Sequence, residues 1–577
     1  MAFGYHGHYL RIDAGSGRVE RMPIAEPVLR QYIGGSGLGV QLLLGEGQPA
    51  GDPLEADAPL VFAFSPLVGS PLTTSAKFAV VSKSPLTDRI NDSLAGSGFA
   101  IAGKRCGGDA IVLVGRAPRL SILIVDDGQV RMESAEDLRG ATCGATEAAL
   151  SARLGSDFQV ASIGPAGERA VRFATISHGG RHAGRGGSGA VLGAKNVKAI
   201  AVRGSQRCEW AHPRELFEYS KTLSKRSFGP ATAKYRELGT ASNLLTFNRL
   251  GTLPTRNFQS GIFERAADVS PDVMRTTHAR TRASCVACTI GCEHIYSVAG
   301  GDSGARIEYE SLFALGPLCG VGDADAVLRA SKLCDDLGVD TISAGGTIAF
   351  AMECVERGWL DEPWLTFGSG DAVRRAIELV ARREGIGRLL AEGSRRAAAA
   401  IGHDSIAFAP QVKGLEIPGY EPRTLQTMAL GFAVGARGAD HNRSGAYEVD
   451  FSEKVDRRHA TLDAVRYAIE TEDKAAIMDS LILCKFLRGV FDDFYGEAAD
   501  MLRMVTGWDV TAGELRESAR RIVGAKRQFN LLAGWTPDED TLPDRFLDAP
   551  LSSDPAALLT RERLASLVSE YHRQRGW

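Results

Sequence analysis

Short apolar runs set between Gly, Pro and Asp dominate the first two hundred residues: 59–64, 77–82, 109–115, 120–125 and 197–202 are β-branched or aromatic stretches of strand length. That pattern predicts a sheet domain. From about residue 210 the period lengthens to that of a helix. In 325–337 the apolar positions Val327, Leu328, Leu333 and Leu337 recur at helical spacing, and Gly338 follows as a residue suited to the left-handed turn that closes a helix. Thr511-Ala-Gly-Glu514 reads as a capping box that opens another helix toward Arg527. The apolar runs stop at 204–213, the clearest boundary, and a softer one falls in 400–420. The expected class is α+β: a β-rich domain over 1–208, then mainly helical domains over 209–410 and 411–577. Apart from an Ala-rich patch at 397–400, neither repeats nor low-complexity segments interrupt the pattern.

Composition narrows the partners. The 577 residues exceed what one core of ~250–300 residues can hold, so several domains are expected. Lys+Arg 67 against Asp+Glu 70 leaves a net charge of -3, with no basic excess to neutralise phosphates. Nucleic acid and membrane are therefore not expected partners, whereas small molecules and proteins are. Ten cysteines are too sparse for a disulfide scaffold. The N-terminus lacks a basic region followed by an apolar one, and no apolar run is long enough to span a bilayer, so the expectation is a cytoplasmic protein.

The cysteines carry the first chemistry. Cys285, Cys288 and Cys292 form C-x2-C-x3-C, and Cys484 stands alone far downstream. Three clustered thiols and one distant thiol are a common way to hold a [4Fe–4S] cluster. Zinc, with His294 nearby, is the alternative, but it would ordinarily need a second close Cys or His pair. Cys484 by itself would read as a buried small hydrophobe; its context changes that. Asp479-Ser-Leu-Ile-Leu-Cys484 has the same shape as Asp335-Asp-Leu-Gly-Val-Asp340. Two such turns suggest paired clamps on the two halves of one polar ligand. Arg185-Gly-Gly-Ser-Gly189 exposes backbone N–H groups beside a guanidinium able to grip an oxyanion. Gly34-Gly-Ser-Gly-Leu-Gly39 is a weaker signal, with a tight structural turn as its plain reading.

Together these segments resemble the aldehyde ferredoxin oxidoreductase family of tungsten bis-pterin enzymes. The likeness runs through Ile33-Gly-Gly-Ser-Gly-Leu-Gly39, Thr73-Thr-Ser-Ala-Lys-Phe78, Ile163-Gly-Pro-Ala-Gly-Glu168, Ala183-Gly-Arg-Gly-Gly187, the cysteine loop, Glu308-Tyr-Glu-Ser311, both aspartate turns, Val412-Lys-Gly-Leu-Glu416, Arg437-Gly-Ala-Asp-His441 and the closing Arg575-Gly-Trp577, and so covers essentially the whole chain. The resemblance implies an N-terminal β domain forming a base for the cofactor, with two helical domains closing over it. It implies that Cys285, Cys288, Cys292 and Cys484 ligate the [4Fe–4S] cluster. Lys77, Gly96, Ala183, Gly184, Arg185, Asp335, Val339, Asp340, Arg437, Arg443, Asp479 and Leu483 would contact the two pterins, which carry tungsten or molybdenum and a phosphate-bound magnesium. Glu310 and His441 would line the metal and move protons. The implied activity is oxidation of aldehydes to carboxylic acids, with electrons leaving to ferredoxin or a small iron–sulfur subunit.

Some positions depart from the family pattern. Leu94 stands about where an Asn contacts the pterin, and Lys77 stands where some members carry Arg, keeping the cation but losing the fork. The Glu-x-x-His that joins subunits through a metal is replaced near 329–332, which leaves homo-oligomerisation open. Cys319, shortly after Glu310, carries the alternative: in the aryl-CoA reductase branch a cysteine ligates tungsten and supports ring reduction. A buried thiol is its plain reading.

Overall fold

Two mixed sheets, each of six strands, form the N-terminal part of the computed structural model, which describes residues 3–96, 98–298 and 304–577. The first contains β1 (His8–Asp13), β2 (Val19–Pro23), β3 (Leu60–Ala63), β4 (Lys77–Lys83), β5 (Ile90–Gly96) and β6 (Ala110–Val114) in the order β2-β1-β6-β3-β4-β5. The second contains β7 (Ser121–Asp126), β8 (Gln129–Ser134), β9 (Gln159–Ser162), β10 (Ile176–His178), β11 (Arg181–Ala183) and β12 (Val197–Arg203) in the order β11-β10-β9-β12-β7-β8. The five sequence-predicted runs become β3, β4, β6, β7 and β12; the remaining strands are shorter or more polar and gave less signal.

Alternation along β4 explains the layering. Phe78 and Val80 face the second sheet, in one core with Leu123, Val125, Ile200 and Val202. Ala79 and Val81 face the helix Gly35–Glu46, in a core with Leu38, Leu42 and Leu43. A strand buried on both faces must be apolar throughout, and its run of residues is. The early glycine-rich segment is this helix rather than a ligand-cradling turn. A Cβ on Gly39 would lie 2.5 Å from Val81 Cγ2, and one on Gly37 2.8 Å from Ser480 Oγ, so the glycines let strand and helices approach.

Helices form the bulk of the rest. Ala324–Leu337 starts one residue before the predicted span, capped by Asp323, and ends with Gly338 at φ 73. Ala512–Leu532 opens as expected with Thr511 accepting from the Glu514 N–H. The box is only half made: the Glu514 carboxylate is taken by Arg30, whose Nε donates at 2.6 Å, because a cation 484 residues away competes for it. A small three-stranded sheet of β13 (Arg280–Ala283), β14 (Glu293–Tyr296) and β15 (Ala305–Arg306) frames the cysteine loop. Among the described residues no helix is long and apolar enough to cross a membrane.

Candidate active site

The two aspartate turns share one backbone. Ala324–Leu337 ends at left-handed Gly338, and the Val339 N–H donates back to Cys334 at 2.9 Å. Asp463–Leu481 ends at left-handed Ile482, φ 63, and the Leu483 N–H donates back to Met478 at 2.9 Å. Both are six-to-one Schellman closures, with an aspartate in the last helical turn. After the first, Asp340 caps the helix Thr341–Glu356, accepting from Ile342 and Ser343 N–H at 3.3 Å each. After the second comes Cys484.

The carboxylates have different surroundings. Asp335 lies 3.4 Å from His182 Nε2. Burial pushes Asp335 up to about 6, against the pull of Arg306, and burial pushes His182 down to about 3. Asp479 is buried against Lys485 Nζ at 2.9 Å and Arg443 Nη1 at 3.1 Å.

Between sheet and helices lies a network that joins the expected Arg185, Asp340, Arg437 and Arg443 to Asp92, Asp440 and Lys526, for which the sequence suggested no role. Asp92, in the middle of β5, is bonded by Lys526 Nζ at 2.9 Å and approached by Arg443 Nε at 3.0 Å. Burial opposes its charge, but Arg443, Lys526 and Arg437 hold it well below the usual carboxylate range. Leu94, two residues on and facing the same way, packs among apolar neighbours, so Asp92 takes the polar role on that face. Arg437 donates to the Asp92 carbonyl and to Asp440. Arg185 donates to the Ala439 carbonyl at 2.9 Å and lies 3.6 Å from Asp340 and 3.8 Å from Asp440. A narrow cavity of about 20 Å³, room for a water or so, is lined by Asp92, Arg437, Asp440, Arg443, Glu472 and Lys526. The acid in Ile90-Asn-Asp-Ser-Leu94 was the available signal, because an aspartate buried in a strand must find cations elsewhere in the fold.

Lys77 and Gly96 are cross-strand partners at one end of the β4–β5 pair, beside the cysteine loop. A Cβ on Gly96 would lie 3.0 Å from Cys285 Sγ. Burial would lower the Lys77 ammonium, but Cys484, Cys285, Asp479 and Cys292 together raise it, which places the lysine between the thiols and the second clamp. Thr74 ties the distant cysteine to the loop: its N–H donates to the Ala287 carbonyl at 2.6 Å, and its hydroxyl accepts from the Cys484 N–H at 3.3 Å. Cys285, Cys288, Cys292 and Cys484 are all partly exposed, whereas Cys106, Cys143, Cys319, Cys334 and Cys354 are buried. Among the described residues no three His, Cys, Asp or Glu side chains converge on a single-ion site, and His294 Nε2 is engaged with the Tyr235 carbonyl at 3.2 Å.

Glu310 opens the helix Tyr309–Leu315, its Oε2 accepting from the Gly419 N–H at 3.0 Å. His441 starts the short helix His441–Ser444, whose cap Asp440 accepts from the Arg443 N–H at 2.8 Å. The two meet with His441 Nε2 3.6 Å from Glu310 Oε1. Although 15% of its side chain is exposed, burial pushes Glu310 up to about 8; burial likewise pushes His441 down to about 3. Near neutral pH this is a protonated acid beside a neutral imidazole, not an ion pair. Tyr420 stands 5.3 Å from the His441 ring, Phe247 5.7 Å from Tyr420, and Phe451 5.0 Å from Phe247. With Phe451 37% exposed, an aromatic column leads from the surface to His441.

Ala183 ends β11, and Gly184 next to it has no atom closer than 3.9 Å to the place a Cβ would take. Arg185 Nε, Arg437 Nε, Glu310 Oε1 and His441 Nδ1 are buried without a hydrogen-bond partner. Such unpaired donors and acceptors are costly, so they fit a large polar ligand that pairs with them. The partly exposed thiols fit an iron–sulfur cluster. Cys319 is not brought to this site. It lies past the far end of the Glu310 helix, in the apolar core, its thiol donating to the Ala314 and Gly345 carbonyls at 3.4 and 3.6 Å.

A family model described as aldehyde ferredoxin oxidoreductase, N-terminal domain, matches residues 9–204, and one described as its domains 2 & 3 matches 218–577. The tungsten-containing aldehyde ferredoxin oxidoreductase of Pyrococcus furiosus is 36% identical over 590 residues, covering 100% of this chain and 96% of that one. The namesake from Thermococcus kodakarensis is 36% identical over 593 residues with the same coverage. The WOR-like subunit of an aliphatic sulfonate oxidoreductase from P. furiosus is 28% identical, covering 100% and 95%. Among solved structures, the active site complex BamBC of benzoyl coenzyme A reductase with 1,5 dienoyl-CoA superposes with a TM-score of 0.84 at 22% identity, covering 100% of this chain and 95% of that one. That likeness shows a common fold. The chain belongs to the aldehyde ferredoxin oxidoreductase family and is an oxidoreductase.

Proposed function

We propose that this oxidoreductase converts aldehydes to carboxylic acids with water as the oxygen source. The bound tungsten (or molybdenum) bis-pterin centre supplies a two-electron acceptor, and the [4Fe–4S] cluster a one-electron relay to ferredoxin or a small iron–sulfur subunit. Cys285, Cys288, Cys292 and Cys484 hold the cluster. Arg185, Arg437, Arg443, Asp335, Asp340 and Asp479 hold the pterins and their phosphate-bound magnesium. Lys77, Gly96, Ala183, Gly184, Val339 and Leu483 shape the same surface.

The observation that carries the reading is the Glu310–His441 pair. Addition of water to the aldehyde carbonyl needs one group that starts protonated and one that starts bare, and the hydrate so formed gives up two electrons and two protons, one of which restores the acid while the other leaves to solvent. Burial sets Glu310 up as the first, able to donate to the aldehyde carbonyl oxygen, and His441 as the second, able to receive a proton from water. Tyr420, packed on His441, excludes solvent from that face.

His441→Ala is expected to keep iron and tungsten at wild-type content while aldehyde-dependent viologen reduction falls about 100-fold or more. Wild-type turnover in that variant refutes the assignment. Glu310 acts as an acid only while protonated, so kcat/KM should fall above about pH 8. The Glu310→Gln enzyme should lose that limb.

A further inference from the structure

The cysteine loop lies beneath a surface whose charge is opposite to that of the chain. The whole molecule carries -3. Around the loop, however, Lys225, Lys234, Arg280 and Arg282 are exposed and Arg236 is partly exposed. Arg280 and Arg282 project from β13, an edge strand of its small sheet. Arg280 Nη1 donates to the Glu237 carbonyl at 2.7 Å and Arg282 Nη1 to the Arg236 carbonyl at 3.4 Å, so main-chain oxygens orient these guanidiniums, and among the described residues neither is ion-paired to a carboxylate. Lys234 stands 4.9 Å from the centre of the Tyr235 ring, and Arg236 4.3 Å from that of Phe228.

This surface is tied to the thiols. Tyr235 packs in the same apolar cluster as Cys288 and Cys292, and stacks at 4.1 Å on Phe486, two residues beyond Cys484. Ser227 bonds Thr289 inside the loop at 2.5 Å, and the position of a Cβ on Gly291 lies 3.5 Å from Arg282 Nε. Two apolar side chains face solvent here, Phe228 at 57% and Val286 at 46% exposure, Val286 being a loop residue between two ligand cysteines. An apolar centre with a basic margin, directly over thiols that are themselves partly exposed, is built for contact with another molecule.

We infer that this face, formed by Lys225, Phe228, Lys234, Arg280, Arg282 and Val286, docks a small acidic iron–sulfur protein that exchanges single electrons with the cluster. The inference rests on the proposed function for the direction of electron flow, but the docking face stands on the geometry and charge alone. Rim charges of this kind steer encounter and make association sensitive to salt.

The test uses the holoenzyme, a recombinant [4Fe–4S] ferredoxin of strongly negative net charge, and the triple variant Lys234→Glu, Arg280→Glu, Arg282→Glu. Iron content and the cluster's EPR signal check that the variant is intact. Binding of the ferredoxin is titrated without aldehyde at low and at moderate salt. Reversal is expected to raise Kd about tenfold or more and to flatten the salt dependence that the wild type shows. In turnover, the KM for ferredoxin should rise similarly, while aldehyde-dependent reduction of a viologen dye does not fall. An unchanged Kd with an unchanged salt dependence overturns the docking face. Absence of aldehyde-dependent dye reduction in the wild type overturns the proposed function instead, and the titration still decides the face. If the triple variant loses iron, Lys225→Glu with Arg280→Glu is titrated in its place, with the same outcomes.

Discussion

The turn closing Ala324–Leu337 and the turn closing Asp463–Leu481 trace the same path from the same starting aspartate, and differ in the left-handed residue, the closing residue and the surroundings of the aspartate. The left-handed residue is Gly338 in one and Ile482 in the other. A β-branched residue there costs roughly 1–2 kcal/mol of backbone strain, which its burial has to offset. Ile482 is fully buried: its Cδ1 would lie 2.6 Å from a Cβ on Gly35, the glycine that lets Gly35–Glu46 close over it. Asp335 faces an imidazole that stays neutral, whereas Asp479 faces Arg443 and Lys485. The first turn ends in a helix cap and the second in a thiol. The comparison teaches that a duplicated backbone motif can be tuned by its neighbours, one copy anchored to a helix and the other to the cluster loop.

Equivalent substitutions in the two turns test how far they differ. The largest effect is expected at the last position. Cys484→Ser should strip iron and abolish electron flow to dye, whereas Asp340→Ala should keep the iron and cost about 1–2 kcal/mol for a lost cap. Iron content and unfolding midpoints read both. Next, Asp479→Asn leaves buried Lys485 without its carboxylate and Arg443 with Asp92 alone, and should destabilise by about 3–5 kcal/mol. If its urea midpoint matches that of Asp335→Asn, the claimed difference between the turns is wrong.

At Asp335 the effect is smaller and depends on pH. Its folded pKa, about 6, is raised above the unfolded value of about 4, so its contribution to stability is full below pH 4 and lost as pH rises through 6. Asp335→Asn should flatten the stability profile in that window by on the order of 3 kcal/mol or less. Smallest is Gly338→Ala, at about 1–2 kcal/mol from the left-handed backbone. Its Cβ would also come within 2.9 Å of the Gly164 nitrogen.

What the sequence disclosed was local. The Cys285, Cys288 and Cys292 spacing, the doubly buried run of β4 and the Gly338 stop are all readable within a few residues. Even the likeness of the two aspartate turns is a short-range pattern, and their backbones do coincide. What stayed hidden depends on partners far along the chain. Lys526 and Asp92 are 434 residues apart, so neither showed its partner in advance. The Glu514 carboxylate went to Arg30 for the same reason, although Thr511 capped its helix as expected. Cys319 was ambiguous because proximity to Glu310 in sequence says nothing about which side of a helix end faces the core.

Thr74 sets the order in which the molecule can be completed. Its backbone grips the cysteine loop and its hydroxyl receives the backbone of Cys484, 410 residues away. Three thiols come off the ribosome within one short loop, but the fourth is useful only once the last third of the chain has folded back onto the first sheet. The clasp therefore makes the four thiols one set only in chains whose two ends have already found each other.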